Sequence, residues 1–115
     1  MHTPLNSGPD SQKLVNALIQ AGINPKTIRQ DNAYGTGAVV IKVTKDFEIF
    51  AYYTEDEYGT GGNVTYSTES GHMECPVVDT LPEIVEDVIR ATYHIKAEVK
   101  ACKENGGSLP VGWCY

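Results

Sequence analysis

The stretch AVVIKVTKDFEIFAYYT, residues 38–54, decides the fold. Val39, Ile41 and Val43 alternate with Val40 and Lys42. After three polar residues, Phe47, Ile49, Ala51 and Tyr53 alternate with Glu48, Phe50, Tyr52 and Thr54. A period of two in β-branched and aromatic residues marks strands with two unlike faces. Thr44-Lys45-Asp46 is short enough to join them only as a tight antiparallel hairpin. Upstream, KTIRQDNAY is a weaker strand-like run. Downstream, NVTYSTES is β-branched and polar, with Val64 and Tyr66 on one face. Four runs with short connections predict a β-meander over 27–70.

Helices flank this region. SGPDSQKLVNALIQAGINP carries Leu14, Val15, Leu18 and Ile19 at helical spacing. Pro9 and Asp10 suit its first turn, Gly22 its left-handed exit, and Pro25 prevents continuation, so a helix is predicted over 9–22. TLPEIVEDVIRATYHIKAEVKACKENGG opens with a capping box, Thr80 to Glu83, and Pro82 stands where no N–H is missed. Leu81, Val85, Val88, Thr92, Ile95, Val99 and Cys102 trace one stripe, widened by Ile84, Ala91 and Ala97. Acids sit at the start, and Lys96, Lys100 and Lys103 at the end, as the helix dipole favours. The predicted helix, 80–104, runs about 36 Å. Strands of seven or eight residues reach about 25 Å, so Ile95, Val99 and Cys102 are expected to need cover from the tail or from an identical helix of a second copy. The fold class is therefore α+β: an antiparallel three- to four-stranded meander with both helices on one face, in the order α-ββββ-α. Residues 1–8 read as a flexible N-terminus. Residues 105–115 form a tail whose Leu109, Val111, Trp113 and Tyr115 are expected to dock on the domain or on a partner.

The tetrapeptide YGTG occurs twice, at 34–37 and 58–61. Neither copy ends in Gly-Lys-Ser/Thr or opens a helix, as phosphate-binding loops do. Both fall between strands and read as hairpin turns.

At 115 residues, with 41% hydrophobic and 21% charged side chains, the chain suits one globular domain. It has no apolar run of membrane-spanning length, and its polar N-terminus lacks a signal-peptide layout. A cytoplasmic protein with reduced thiols is expected, since three cysteines are too few for a disulfide scaffold. His72, Cys75, Cys102 and Cys114 could formally make a His-Cys₃ zinc set, but the paired knuckles of zinc sites are absent and Cys102 falls on the apolar helix stripe. No metal, cofactor or catalytic residue is assigned. His2, His72 and His94 match no catalytic pattern, and His94 is expected on the helix surface.

Net charge is −6 and unevenly placed. From Asp46 to Ile89 there are eleven acidic residues and no Lys or Arg, whereas residues 1–45 carry +3 and 90–115 carry +2. Such a block repels nucleic acid and attracts basic protein surfaces, and with no apolar run of spanning length no membrane partner is expected. The candidate partner-binding residues are Glu48, Glu55, Asp56, Glu57, Tyr58, Glu69, Glu74, Asp79, Glu83, Glu86 and Asp87. Tyr34, Tyr52, Tyr53, Tyr58 and Tyr66 fall in the same half, and tyrosine supplies rigid contact area with a polar tip.

In element order and acidic block, the chain resembles small phage-encoded inhibitors of the anti-CRISPR type, and it is similar in kind to bacterial toxin-immunity proteins. The resemblance implies a non-enzymatic inhibitor that contacts the basic surface of a bacterial protein, such as a nucleic-acid-binding effector, by mimicking nucleic acid, as a monomer or homodimer. The order also resembles double-stranded-RNA-binding domains, but those need a basic helix start, where this chain has Glu83, Glu86 and Asp87. A second reading is a small-molecule (nucleotide or metabolite) binder or small enzyme. Its pocket would lie near the second YGTG and the tail, walled by Tyr58, Tyr66 and Trp113, with Asp56 or Glu57 as anchor.

Overall fold

A computed structural model of the chain describes residues 9–30, 38–56 and 59–107. Helix α1 (Pro9–Gln20) leads through a 3₁₀ turn (Pro25–Thr27) into β1 (Ile28–Gln30). Then follow β2 (Ala38–Lys42), β3 (Glu48–Asp56), β4 (Gly59–Thr68), β5 (Gly71–Glu74) and α2 (Leu81–Glu104). The strands form one antiparallel sheet in the order β1-β2-β3-β4-β5. The α+β meander is as predicted, with one strand more. GHME carries no period-two apolar signal and pairs as a short edge, Thr65 with Glu74 and Thr68 with Gly71.

Both helices pack on one face of the sheet. Leu14 and Leu18 of α1 and Ile84, Val88, Ala91 and Ile95 of α2 close over Val39, Ile41, Ile49, Ala51, Tyr53, Val64 and Tyr66. Both helices end alike. Ile23 N–H donates to Leu18 C=O (3.0 Å) and Gly22 N–H to Ile19 C=O (3.0 Å). At α2, Gly107 donates to Cys102 (2.8 Å) and Gly106 to Lys103 (3.2 Å). These are Schellman closures, and Gly22 and Gly106 take the positive φ they require. At the start of α2, Thr80 donates to Glu83 Oε1 from its N–H (3.2 Å) and its hydroxyl (2.8 Å), so the capping pair lies where the sequence puts it.

On the inner side of its second half α2 meets the sheet, and Val99 and Cys102 also line a hollow of about 670 Å³ beside Phe47 and Glu69; the tail expected to cover them lies outside the described residues. Ile95 is fully buried in the core and Val99 packs against it. Strand β4 has ten residues rather than the expected eight, and the added ones, Gly59–Gly62, lie beside the start of α2, where Gly62 pairs with Val78. The buried stripe also holds two acids the apolar pattern left out, Asp87 and Glu98.

Strand β4 begins inside the second YGTG. Gly59, Thr60 and Gly61 pair with Asp56, Glu55 and Thr54. The hairpin position is as read, but the glycines have a further cause. Gly62 exchanges backbone hydrogen bonds with Val78 (3.0 and 2.8 Å), so the segment before α2 runs beside it. A Cβ on Gly62 would lie 1.8 Å from Tyr52 C=O and 2.8 Å from Ile84 Cδ1. The first YGTG and the 109–115 tail lie outside the described residues; β1 and β2, which flank residues 31–37, are antiparallel neighbours.

Candidate functional site

The sequence-predicted acids do not lie on one face. Glu48 is on the helix-free sheet face, where Oε2 meets Arg29 Nη1 at 2.9 Å across β2. Glu74 is on the same face, at the exposed β5 edge. Glu55 turns to the helices: Lys13 Nζ lies 2.5 Å from Oε1, and Tyr53 Oη donates to Oε2. The Glu55 N–H in turn donates to Asp10 Oδ2 of α1 (3.2 Å). These contacts tie α1 to the end of β3. They hold the Glu55 carboxyl below its ordinary value, chiefly through the Lys13 hydrogen bond and then through Tyr53. Glu69, in the β4–β5 turn, accepts from the Cys102 thiol (3.5 Å). Glu57, Tyr58 and the side chain of Asp56 lie outside the described residues.

The other acids converge. Thr60 Oγ1 donates to Asp79 C=O (2.7 Å), and with the Gly62–Val78 pair this pins the start of α2 to the β3–β4 hairpin. Asp79, Glu83 and Glu86 are exposed there, while Asp87 is buried against Arg90 (2.9 Å). Among the described residues the acidic corner is carried by the segment that opens α2, held beside the β3–β4 hairpin.

Sequence reading missed a polar network inside the fold. His94 is not on the helix surface, because α2 turns its ring toward β4. Tyr66 Oη lies 2.7 Å from His94 Nδ1, and His94 Nε2 lies 2.7 Å from Glu98 Oε2. Glu98 is fully buried, and its Oε1 accepts from Ser70 N–H (3.2 Å) and Ser70 Oγ (3.0 Å). Imidazole is the link that can donate on one side while it accepts on the other, so the chain of partners fixes β4 and the β4–β5 turn to α2. The available signal was His94 and Glu98 at i, i+4, one turn apart on a helix.

The zinc set does not converge. Cys75 sits near Asp87 and Arg90, Cys102 sits against Glu69 about four helical turns further along α2, and His72 points from the helix-free face. Cys114 lies outside the described residues. Among the described residues no group of three His, Cys, Asp or Glu side chains is placed to hold a metal ion. Both described thiols are free. Burial, first of all, pushes each above its ordinary value, so neither is a primed nucleophile. Of the three tyrosines proposed as contact residues that are described, Tyr53 and Tyr66 are core and Tyr52 is exposed. Tyr58 and Trp113, two walls of the small-molecule pocket, lie outside the described residues, and the third, Tyr66, faces α2.

The helix-free face carries a shallow depression of about 260 Å³, lined by Ala38, Phe50, Tyr52, Asn63 and Thr65. Among the described residues no helix is long and apolar enough to cross a membrane. No family model, no curated protein and no solved structure matches the chain.

Proposed function

We propose that the protein is a non-enzymatic binding protein whose acidic corner contacts a basic surface on a bacterial protein. The observation that carries this is the junction of Thr60 with Asp79 and Gly62 with Val78. It holds the acids opening α2, Asp79, Glu83 and Glu86, beside the β3–β4 hairpin, within a 44-residue stretch free of Lys and Arg. The partner such a corner fits presents clustered Lys and Arg, as nucleic-acid-binding effectors do, and occupying that surface would inhibit them. The raised thiols and the internally satisfied His94 support the non-enzymatic part of the reading. The test is capture from bacterial lysate on the immobilised chain, eluted with rising salt. A specific partner should leave between about 0.1 and 1 M salt, where the screening length shrinks from about 10 to 3 Å. Asp79→Asn/Glu83→Gln, which removes two corner charges and keeps a capping side chain at 83, should release it at lower salt. Retention at 1 M, or equal retention by the variant, would overturn the proposal.

A further inference from the structure

The outer face of α2 carries an apolar centre between opposite charges. Tyr93 is 77% exposed and Ile89 45% exposed, although both stand mid-helix. Glu86, Tyr93 and Lys100 recur every seven residues, a spacing that drifts only about 20° per step on an α-helix, so all three share one outward stripe. Ala97, half-buried, borders it. An exposed pair of this size in the middle of a 24-residue helix calls for a partner surface.

We infer that this face pairs with a second copy of the chain, α2 against α2 and antiparallel, about a two-fold axis at Tyr93. Tyr93 stands close to the midpoint of Leu81–Glu104. Glu86 and Lys100 lie at equal distances from it, each about 10.5 Å along the helix axis. A two-fold perpendicular to the helix therefore sets Glu86 against the partner's Lys100, and does so twice. At the axis Tyr93 meets the partner's Tyr93, with Ile89 beside it on the flank toward α1, over the aliphatic stem of the partner's Lys96. A parallel arrangement would instead stack Glu86 on Glu86 and Lys100 on Lys100.

The remaining cations do not spoil this arrangement. Arg90 leans to the β5 side, where it is paired with Asp87. Lys96 leans to the α1 side, lining a hollow with Gly22, Ile23 and Asn24. A two-fold in the contact plane keeps like sides together, so Arg90 and Lys96 each stand about 9 Å along the axis from their own copies, on opposite flanks of the contact, and Arg90 carries its Asp87 with it. Exposed Ile19 on α1, the neighbour of α2, continues the apolar strip on the Lys96 flank. A self-complementary patch of this kind is what an isologous dimer requires. It differs from the inner stripe of Ile95, Val99 and Cys102, which packs within the chain, and it does not rest on the acidic-corner reading.

The full chain, measured by sedimentation equilibrium up to about 1 mM, should show a reversible monomer–dimer equilibrium. Tyr93→Lys should leave the helical spectrum unchanged and weaken dimerisation by at least about a hundredfold, by placing two ammonium groups at the axis. Glu86→Lys alone and Lys100→Glu alone should each weaken it by about tenfold, because each inverts two ion pairs. The double swap Glu86→Lys/Lys100→Glu should restore it, since every cross-axis pair is again of opposite sign. A chain that stays monomeric leaves this face to a different protein and overturns the inference. So does a dimer that Tyr93→Lys leaves intact, or a double swap as weak as the single reversals.

Discussion

Tyr53 and Glu55 stand two residues apart on the inner face of β3, and their hydrogen bond gives the protein a pH signature at both ends of the scale. Burial, and after it the bond to Glu55, pushes the Tyr53 phenol up to about 12. In the unfolded chain the same phenol loses its proton near 10. Between those values the unfolded state binds fewer protons than the folded state, so stability falls as pH rises through that window. Lys13, raised by its hydrogen bond to Glu55, adds a loss of the same sign above 10.5. Glu55 works the other way. Its carboxyl is depressed, so its share of stability is present above the ordinary carboxylate value and lost as pH falls through the folded one. Urea titrations at pH 9 and pH 11 should show Tyr53→Phe losing less stability over that interval than the parent chain. Equal losses would mean that the phenol titrates alike in both states. The inward aim of Tyr53 was legible, because strand alternation fixes it. The burial of Glu98 was not, because a helical pattern scores a carboxylate as surface and cannot register a Ser70 N–H waiting on a distant turn.

At the scale of elements, the least legible feature is the run from Gly59 to Gly62. Glycines between two strands read as a turn, and the hairpin does close there, with Asp56 opposite Gly59. What sequence could not show is that the chain returns sixteen residues later to pair Val78 with Gly62, and that α2 then lowers Ile84 onto the same spot. Gly62→Ala would force a methyl into the Tyr52 carbonyl, and that backbone cannot yield without parting β3 from β4. The expected cost is about 3 kcal/mol in unfolding free energy, against less than about 0.5 kcal/mol for an exposed substitution such as Ser67→Ala. Equal unfolding midpoints for the two variants would show that β4 tolerates a side chain there. By contrast, α2 was legible from end to end. Its cap, charge gradient and glycine exit are local signals, whereas β5 depends on pairing alone and has no local signal strong enough to mark it.

For the molecule as a whole, two helices on one side leave a five-stranded sheet with one covered and one helix-free face, and the alternation along β3 measures the difference. Tyr52 and Tyr53 are adjacent and identical in type, yet Tyr52 is 39% exposed and Tyr53 is 3% exposed. The helix-free face is not uniformly wet. Val40 is fully buried there, between Arg29 and Phe50 in register, with the Arg29–Glu48 ion pair passing over β2. The apolar run Ala38–Ile41 is therefore buried on both faces, while the sheet opens toward β4 and β5. Removing a buried aromatic side chain costs about 3–5 kcal/mol, because the contacts and the filled volume are lost together. At Tyr52, 39% of the surface already meets water, so the loss should be smaller, about 1–2 kcal/mol. Tyr53→Ala should therefore lower the unfolding free energy by several times as much as Tyr52→Ala, as read from urea midpoints at one shared slope. If the two cost the same, something covers the Tyr52 face in solution. Repeating the pair of measurements across protein concentration would then identify the cover: a cost at Tyr52 that grows with concentration belongs to an assembly, and one that does not belongs to the chain itself.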